Sequence, residues 1–407
     1  MPSSENTLYS QGVNFGSFVQ EGVDARTGQH TSSIALYEAP AKARNCVLFK
    51  LSLRFSPLNT TDVGFGKGWS LNLSQYQHIA PRSLVLSTGE HYQISNTGGL
   101  RVDDQKLQSF KFRQKGSDFK IVQKNGQIEV LSNAHNVYNT SVPIKLYAAD
   151  GRALSLICKG VSGQPRLTEV QDGEEVLLEI KYRDPHVEII HYAGTTEASI
   201  FTVVIRDSQL QEFWLPLKDS TKWKFAYNTY GSLICLSNIR SPLGLVEEVT
   251  YDPSGLQLPL GGPYKYLPVV KQHIIKPGNQ QPVIQTLYSY SKSSNNFLGF
   301  GAVDQWKYGE DNLYRVKDTY QYKSIVSVVG GQSIEYTYNK FHLMVRTEQV
   351  QEGKQITQTV EYYAKPNLAL EHQAAQFQLP KIVKTKYCDL ATPSVFRDEL
   401  TYHEYDQ

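Results

Sequence analysis

Val47-Leu-Phe-Lys-Leu-Ser-Leu-Arg-Phe55 places Val47, Phe49, Leu51, Leu53 and Phe55 at every second position, with Lys50, Ser52 and Arg54 between them. Successive side chains of a strand point to opposite faces, so this run reads as a strand with one buried and one largely wet face. The same period recurs in Val176, Leu178, Ile180 and Tyr182, interleaved with Glu179 and Lys181. It appears again in Trp223, Phe225 and Tyr227, alternating with Lys222, Lys224 and Ala226. No convincing amphipathic helix exceeds about three turns, the average helix length. The best helical candidate is Pro366 to Phe377, where Pro366 suits a first turn. The expected fold class is all-β with at most minor helix.

Turn chemistry sets the expected topology. Asn125-Gly126 separates Phe119–Val122 from Ile128–Leu131, Asp150-Gly151 separates Ile144–Tyr147 from Leu154–Ile157, and Asp172-Gly173 separates Leu167–Val170 from Val176–Glu179. Asn-Gly and Asp-Gly supply the positive φ that both central positions of a two-residue hairpin need. Hairpins at such even spacing predict an antiparallel meander whose units bury their faces only against neighbours.

Composition narrows the function classes. Across 407 residues, 41 Lys and Arg face 39 Asp and Glu, a formal net charge of +2. That balance gives no broad basic footprint for nucleic acid. With 26 Tyr, 16 Phe and 4 Trp, the chain is too aromatic to be disordered. Cys46, Cys158, Cys235 and Cys388 form no CxxC pair and have no histidine at zinc-finger spacing, so they read as small buried hydrophobes. Met1 to Gln11 is polar, and no apolar run reaches membrane-span length. The expectation is a soluble chain, cytoplasmic when made, with any secretion by a route lacking a classical signal peptide.

Several motifs imitate chemistry. Gly64-x-Gly66-x-Gly68, with Lys67 inside it, lacks the spacing of a P-loop and the third glycine and helix of a dinucleotide fingerprint. It reads instead as backbone packed closely around Trp69. Asp184, His186 and Glu188 at i, i+2, i+4 could share a strand face, with His191 on the other parity; a solvated face is the reading taken. The Glu247-Glu248 pair reads as a wet loop or edge. Neither a Gly-x-Ser-x-Gly elbow nor His-Glu-x-x-His occurs. No catalytic, cofactor-binding or metal-ligating residue is assigned, no cofactor is implied, and the chain is not expected to be an enzyme.

A more particular unit lies further along. Tyr227-Asn228-Thr-Tyr-Gly231-Ser-Leu233 is repeated as Tyr251-Asp252-Pro-Ser-Gly255-Leu256, with a degenerate copy at Tyr338-Asn339-Lys-Phe-His342-Leu343 and a partial one at Tyr402-His-Glu-Tyr405-Asp406. In each, Tyr ends a strand, Asn or Asp closes a local turn, Gly tolerates the left-handed region, and Leu starts the return strand.

These units resemble the YD repeats of Rhs proteins. Gly22-Val-Asp24-Ala-Arg26-Thr27-Gly28 is similar to the opening segment of Rhs-type chains, and Leu51–Asn59 followed by Val63–Leu71, with Gly68-Trp69-Ser70-Leu71, is the most specific stretch. The latter segment and Asn296-Phe-Leu-Gly-Phe-Gly301 are also similar to segments in the B components of Tc insecticidal toxins. The resemblance implies an antiparallel hairpin array forming part of a large β-shell that encloses or delivers a toxin. Partners would be the remainder of its own chain or another Rhs/Tc-type chain, with a toxin cargo segment. Asp252-Pro-Ser-Gly-Leu256 is similar to the segment near the self-cleaving end of such shells, but its place in mid-chain favours a turn. The expected layout is a flexible segment over 1–20, an initial β-module over 21–80, a hairpin array over 81–215 and a YD-like region over 216–407 that breaks off within a repeat. The alternative is a carbohydrate- or cell-surface-binding β-module, with Trp214, Trp223 and Trp306 as stacking platforms for glycans.

Overall fold

The computed structural model describes residues 8–12, 22–38, 49–96, 98–133, 137, 139–217, 221–291, 295–317 and 319–405. Val47, Cys46 and Asp406 lie outside them. The protein is all-β, 56% strand and 2% helix, and its strands form antiparallel arrays as expected. Among the described residues no helix is long and apolar enough to cross a membrane.

The chain divides into two compact units, one of 20–22 with 31–246, the other of 1–19, 23–30 and 247–407. Strands run in chain order from β1 (Gly22–Val23), β2 (His30–Glu38), β3 (Lys50–Phe55) and β4 (Trp69–Leu71). β3 pairs with β2 and β4, and Leu51, Leu53 and Phe55 are buried as their alternation predicts. Next come β5 (Gln75–Gln77), β6 (Ser83–Val85), β7 (His91–Ser95), β8 (Arg101–Val102), β9 (Phe110–Lys115), β10 (Asp118–Gln123), β11 (Ile128–Asn133) and β12 (Thr140–Tyr147). β12 divides its pairing: Lys145–Tyr147 bond β13 (Ala153–Val161), whereas Thr140 and Ser141 bond β5. This curls β5–β12 around an aromatic core of Tyr76, Phe110, Phe112 and Phe119.

From β13 each strand pairs with its successor through β14 (Gln164–Asp172), β15 (Glu175–Arg183), β16 (His186–His191), β17 (Ser199–Arg206), β18 (Gln209–Trp214), β19 (Lys222–Tyr230) and β20 (Leu233–Arg240). One core joins Leu51, Leu53, Phe55 and Trp69 to Leu156, Val170, Ile180, Phe213, Phe225 and Ile239. That core joins β2–β4 to β13–β20 and runs across residue 216.

The second unit continues with β21 (Val246–Gln257), β22 (Tyr266–Lys276), β23 (Ile284–Tyr290), β24 (Gln321–Val328), β25 (Ser333–Asn339), β26 (Met344–Gln351), β27 (Lys354–Tyr362), β28 (Pro380–Asp389) and β29 (Phe396–Tyr402), paired in sequence order. Within 1–20, the described residues are not a flexible segment: Leu8, Tyr9, Ser10 and Gln11 are buried.

Four local expectations need correction. Pro366–Phe377 forms no longer helix, only a 3-10 turn at Leu370–His372, and Gln373 there ties down the backbone of Lys365 and Leu368. The hairpins at 125 and 150 are three-residue loops closed by Gln123 N–H to Gln127 O and by Ala148 N–H to Arg152 O. In them only Gly126 and Gly151 take positive φ. In the third, Gly173 stands first of two loop residues at φ +61°, the position that glycine takes in a type II′ turn. Asp252-Pro253-Ser254-Gly255 is not a hairpin turn, since β21 runs straight through it. There Gly255 serves close approach: a Cβ would lie 2.3 Å from Val269 Cγ2. Cys235 is fully buried as expected, but Cys158 and Cys388 are only half-buried.

Candidate functional site

The glycine cluster at 64–68 is a backbone nest already filled from within. Gly64, Gly66 and Gly68 take φ of +107°, +83° and +90°; the N–H groups of Gly64 and Gly66 converge on one point, while Lys67 N–H donates to Ser208 O and Gly68 N–H to Asn59 O. The Asp62 carboxylate occupies that point, accepting from Gly64 N–H at 2.7 Å and Gly66 N–H at 3.1 Å. The glycines also admit neighbours, because a Cβ on Gly68 would lie 2.3 Å from the Phe55 ring and one on Gly66 2.8 Å from Leu210 N. Beside them Trp69, with no exposed surface, donates from Nε1 to Tyr227 Oη at 2.8 Å, and Tyr227 donates to Leu210 O. The nest holds this tryptophan corner and offers no phosphate site.

In the other unit, Ser10, Asp311 and His342 meet, although they are remote in sequence. Asp311 Oδ2 accepts from Ser10 Oγ at 3.0 Å and from Gln11 N–H at 2.5 Å, and lies 2.9 Å from His342 Nε2. Ser10 Oγ is 3.5 Å from the same His342 Nε2, while Nδ1 is engaged by Tyr322 Oη at 3.0 Å. A nucleophilic triad needs the imidazole to bridge, one nitrogen to the serine and the other to the carboxylate. Here both groups crowd one nitrogen and the side chains of Asp311 and His342 have no exposed surface, so the cluster pins the segment 8–12 in place. His342 stands where the repeat unit carries glycine and takes φ +60°. Asn339 closes that turn as expected, its Oδ1 accepting from Phe341 N–H at 2.9 Å and Leu343 N–H at 3.1 Å. Asn228, by contrast, lies inside β19 opposite Cys235.

His30, Glu247 and His273 form a second buried cluster in the same unit, each offering a ligand atom within 4.8 Å of the other two. Glu247 Oε2 is 2.9 Å from His273 Nε2, and the two imidazoles meet edge to face with centroids 5.5 Å apart. His30 is 1% exposed and its Nδ1 has no hydrogen-bond partner. Burial first, then the nearby His273, depresses its pKa to about 4, whereas the hydrogen bond from His273 holds the Glu247 carboxyl below its ordinary range. The cluster therefore combines a neutral imidazole, an ionised carboxylate and a second imidazole. Glu247 is thus half-buried and turned toward His273, whereas the more exposed Glu248 pairs with Lys276. The sequence offered one weak local sign, a histidine beside Ile274 and Ile275 in the mostly apolar stretch Leu267–Ile275.

The other expected residues stay apart. Asp184 lies in the turn before β16, His186 is exposed, Glu188 pairs with Arg183 at 3.5 Å, and His191 lies 2.7 Å from Leu36 O. Trp306 is buried, and Trp214 and Trp223 are half-buried, with Lys222 Nζ 3.9 Å over the Trp214 ring. These tryptophans present no exposed line of stacking rings.

The most unusual surface is β26–β29. None of these strands contains a buried residue, and Ile356, Tyr387, Phe396, Leu400 and Tyr402 are exposed on them. Cross-strand polar contacts hold the sheet, among them Lys384 to Asp398 at 2.8 Å, Lys381 to Glu361 at 3.1 Å and Lys386 Nζ 4.0 Å over Phe396. At the end of β27, Tyr362 packs against the apolar cluster of Phe341, Leu343 and Phe377.

Compared with known proteins, the chain matches no protein-family model and no curated protein.

Proposed function

We propose that this chain is a structural scaffold, a stretch of wall from an Rhs/Tc-like β-shell that encloses or delivers a toxin segment. The observation that supports this reading is the sheet β26–β29, which has mixed polar and apolar residues on both faces and no fully buried residue. A conventional sheet buries one face against a second layer. A wall around a large lumen is wet on both sides and gains its order along the ladder from its neighbours. The YD-like unit at Tyr338–Leu343, with Asn339 closing the turn, supports the same reading. Its partners would be further strands of its own chain or of another Rhs/Tc-type chain, with toxin cargo inside.

The test is the native product itself, purified from its source, weighed intact and imaged by electron microscopy. A hollow particle much larger than this chain, with a protease-protected segment inside, is expected. A stable monomer of 46.0 kDa would overturn the proposal.

A further inference from the structure

Residues 24–30 are laid against β22 by backbone and side-chain bonds. Val270 N–H donates to Gly28 O at 2.9 Å, Gln29 Nε2 donates to Pro268 O at 2.9 Å, and Gly28 approaches so closely that a Cβ would lie 2.7 Å from Val269. This docking carries His30 to the place where Glu247 of β21 and His273 of β22 already share a hydrogen bond. Burying an imidazole nitrogen without a partner is unfavourable, and His30 Nδ1 is such a nitrogen. Two imidazoles and a carboxylate are the donor set that borderline-soft divalent ions prefer, and zinc takes such sets with a fourth position open. Tetrahedral zinc donors at about 2.0–2.2 Å from the metal stand roughly 3.4 Å apart. The His273–Glu247 separation of 2.9 Å and the 4.8 Å limit on the set bracket that spacing. The Glu247 side chain, 25% exposed, leaves a route from solvent.

We propose that His30, Glu247 and His273 bind one divalent transition-metal ion, zinc being the best chemical match, and that the ion staples segment 24–30 to β21 and β22. The inference is independent of the shell reading. The test strips the full chain with chelator, then titrates it with Zn2+ by calorimetry and with Co2+ by its visible d–d absorption. One equivalent should bind, and X-ray absorption of the zinc form should show two imidazoles and only nitrogen or oxygen neighbours. His30→Ala and Glu247→Gln should each weaken binding by more than the roughly 10- to 100-fold that loss of an outer-shell partner causes, while exposed His186→Ala leaves it unchanged. If either variant fails to fold, the wild-type spectrum decides alone. Absence of stoichiometric binding, a sulfur neighbour such as Cys388, or full affinity in folded His30→Ala would each overturn the proposal.

Discussion

His342 takes φ +60°, close to the +63° of Gly231 at the matching place of an earlier repeat unit. A side chain in the left-handed region costs on the order of 1–2 kcal/mol, so the bonds of its ring to Asp311 and Tyr322 must outweigh that cost. His342→Gly should therefore destabilise the protein by about 2 kcal/mol or more despite relieving the backbone, since it leaves a buried carboxylate short of a partner. Denaturant unfolding measures this, and a more stable variant would refute the reading of the cluster as a clamp. Gly68→Ala combines φ +90° with a Cβ 2.3 Å from Phe55, itself 1% exposed and unable to swing away. A loss of about 3 kcal/mol in the same assay is expected. His342 was legible in sequence as the odd residue of a degenerate repeat. Its partners were not, because Ser10 and Asp311 reach it across the fold and no local pattern encodes such distant pairings.

Hairpins were the most legible elements, because alternation and an Asn-Gly or Asp-Gly step are local signals. The strands flanking residues 125, 150 and 172 stand where expected, but loop length was hidden, since a single residue of register separates two- from three-residue loops. Gly151 gives a clean measure of turn strain: it takes φ +87° and nothing lies within 4 Å of its would-be Cβ. Gly151→Ala should cost about 1 kcal/mol in thermal unfolding and Gly151→Asn clearly less, as Asn tolerates this region better. Equal costs would mean that packing governs the loop. On β11, burial pushes the Glu129 carboxyl above its ordinary 4.5, against hydrogen bonds from Ser74, Gln123 and Ser87 that pull it down. Folding thus favours the protonated form, so its contribution to stability is full below pH 4.5 and is lost as pH rises through the raised folded value. Glu129→Gln should be more stable than the parent at neutral pH and lose that advantage below pH 4.5. A pH series of unfolding midpoints for both proteins checks it, and a pH-independent difference would count against burial as the cause.

Across the whole molecule, each of the two units pairs its strands one after another, while side-chain burial differs between them. β13–β18 each contain fully buried residues such as Leu156, Val170, Leu178, Ile189, Val203 and Phe213, whereas β26–β29 contain none. Resistance to local opening follows buried apolar contact more than ladder length, so equal hydrogen bonding should not give equal protection. Amide hydrogen exchange on the isolated chain should find β14–β18 among the slowest segments and β27–β29 among the fastest of the paired strands. β28 is the decisive case, because both its edges are bonded, to β27 and to β29. Fast exchange there isolates the sparse side-chain burial as the cause, and slow exchange would show that the ladder alone stabilises a sheet with no buried residue. If these strands belong to a shell wall, the same amides in the native particle should be protected far beyond their values in the isolated chain. Unchanged rates in a larger assembly would place β26–β29 outside its wall.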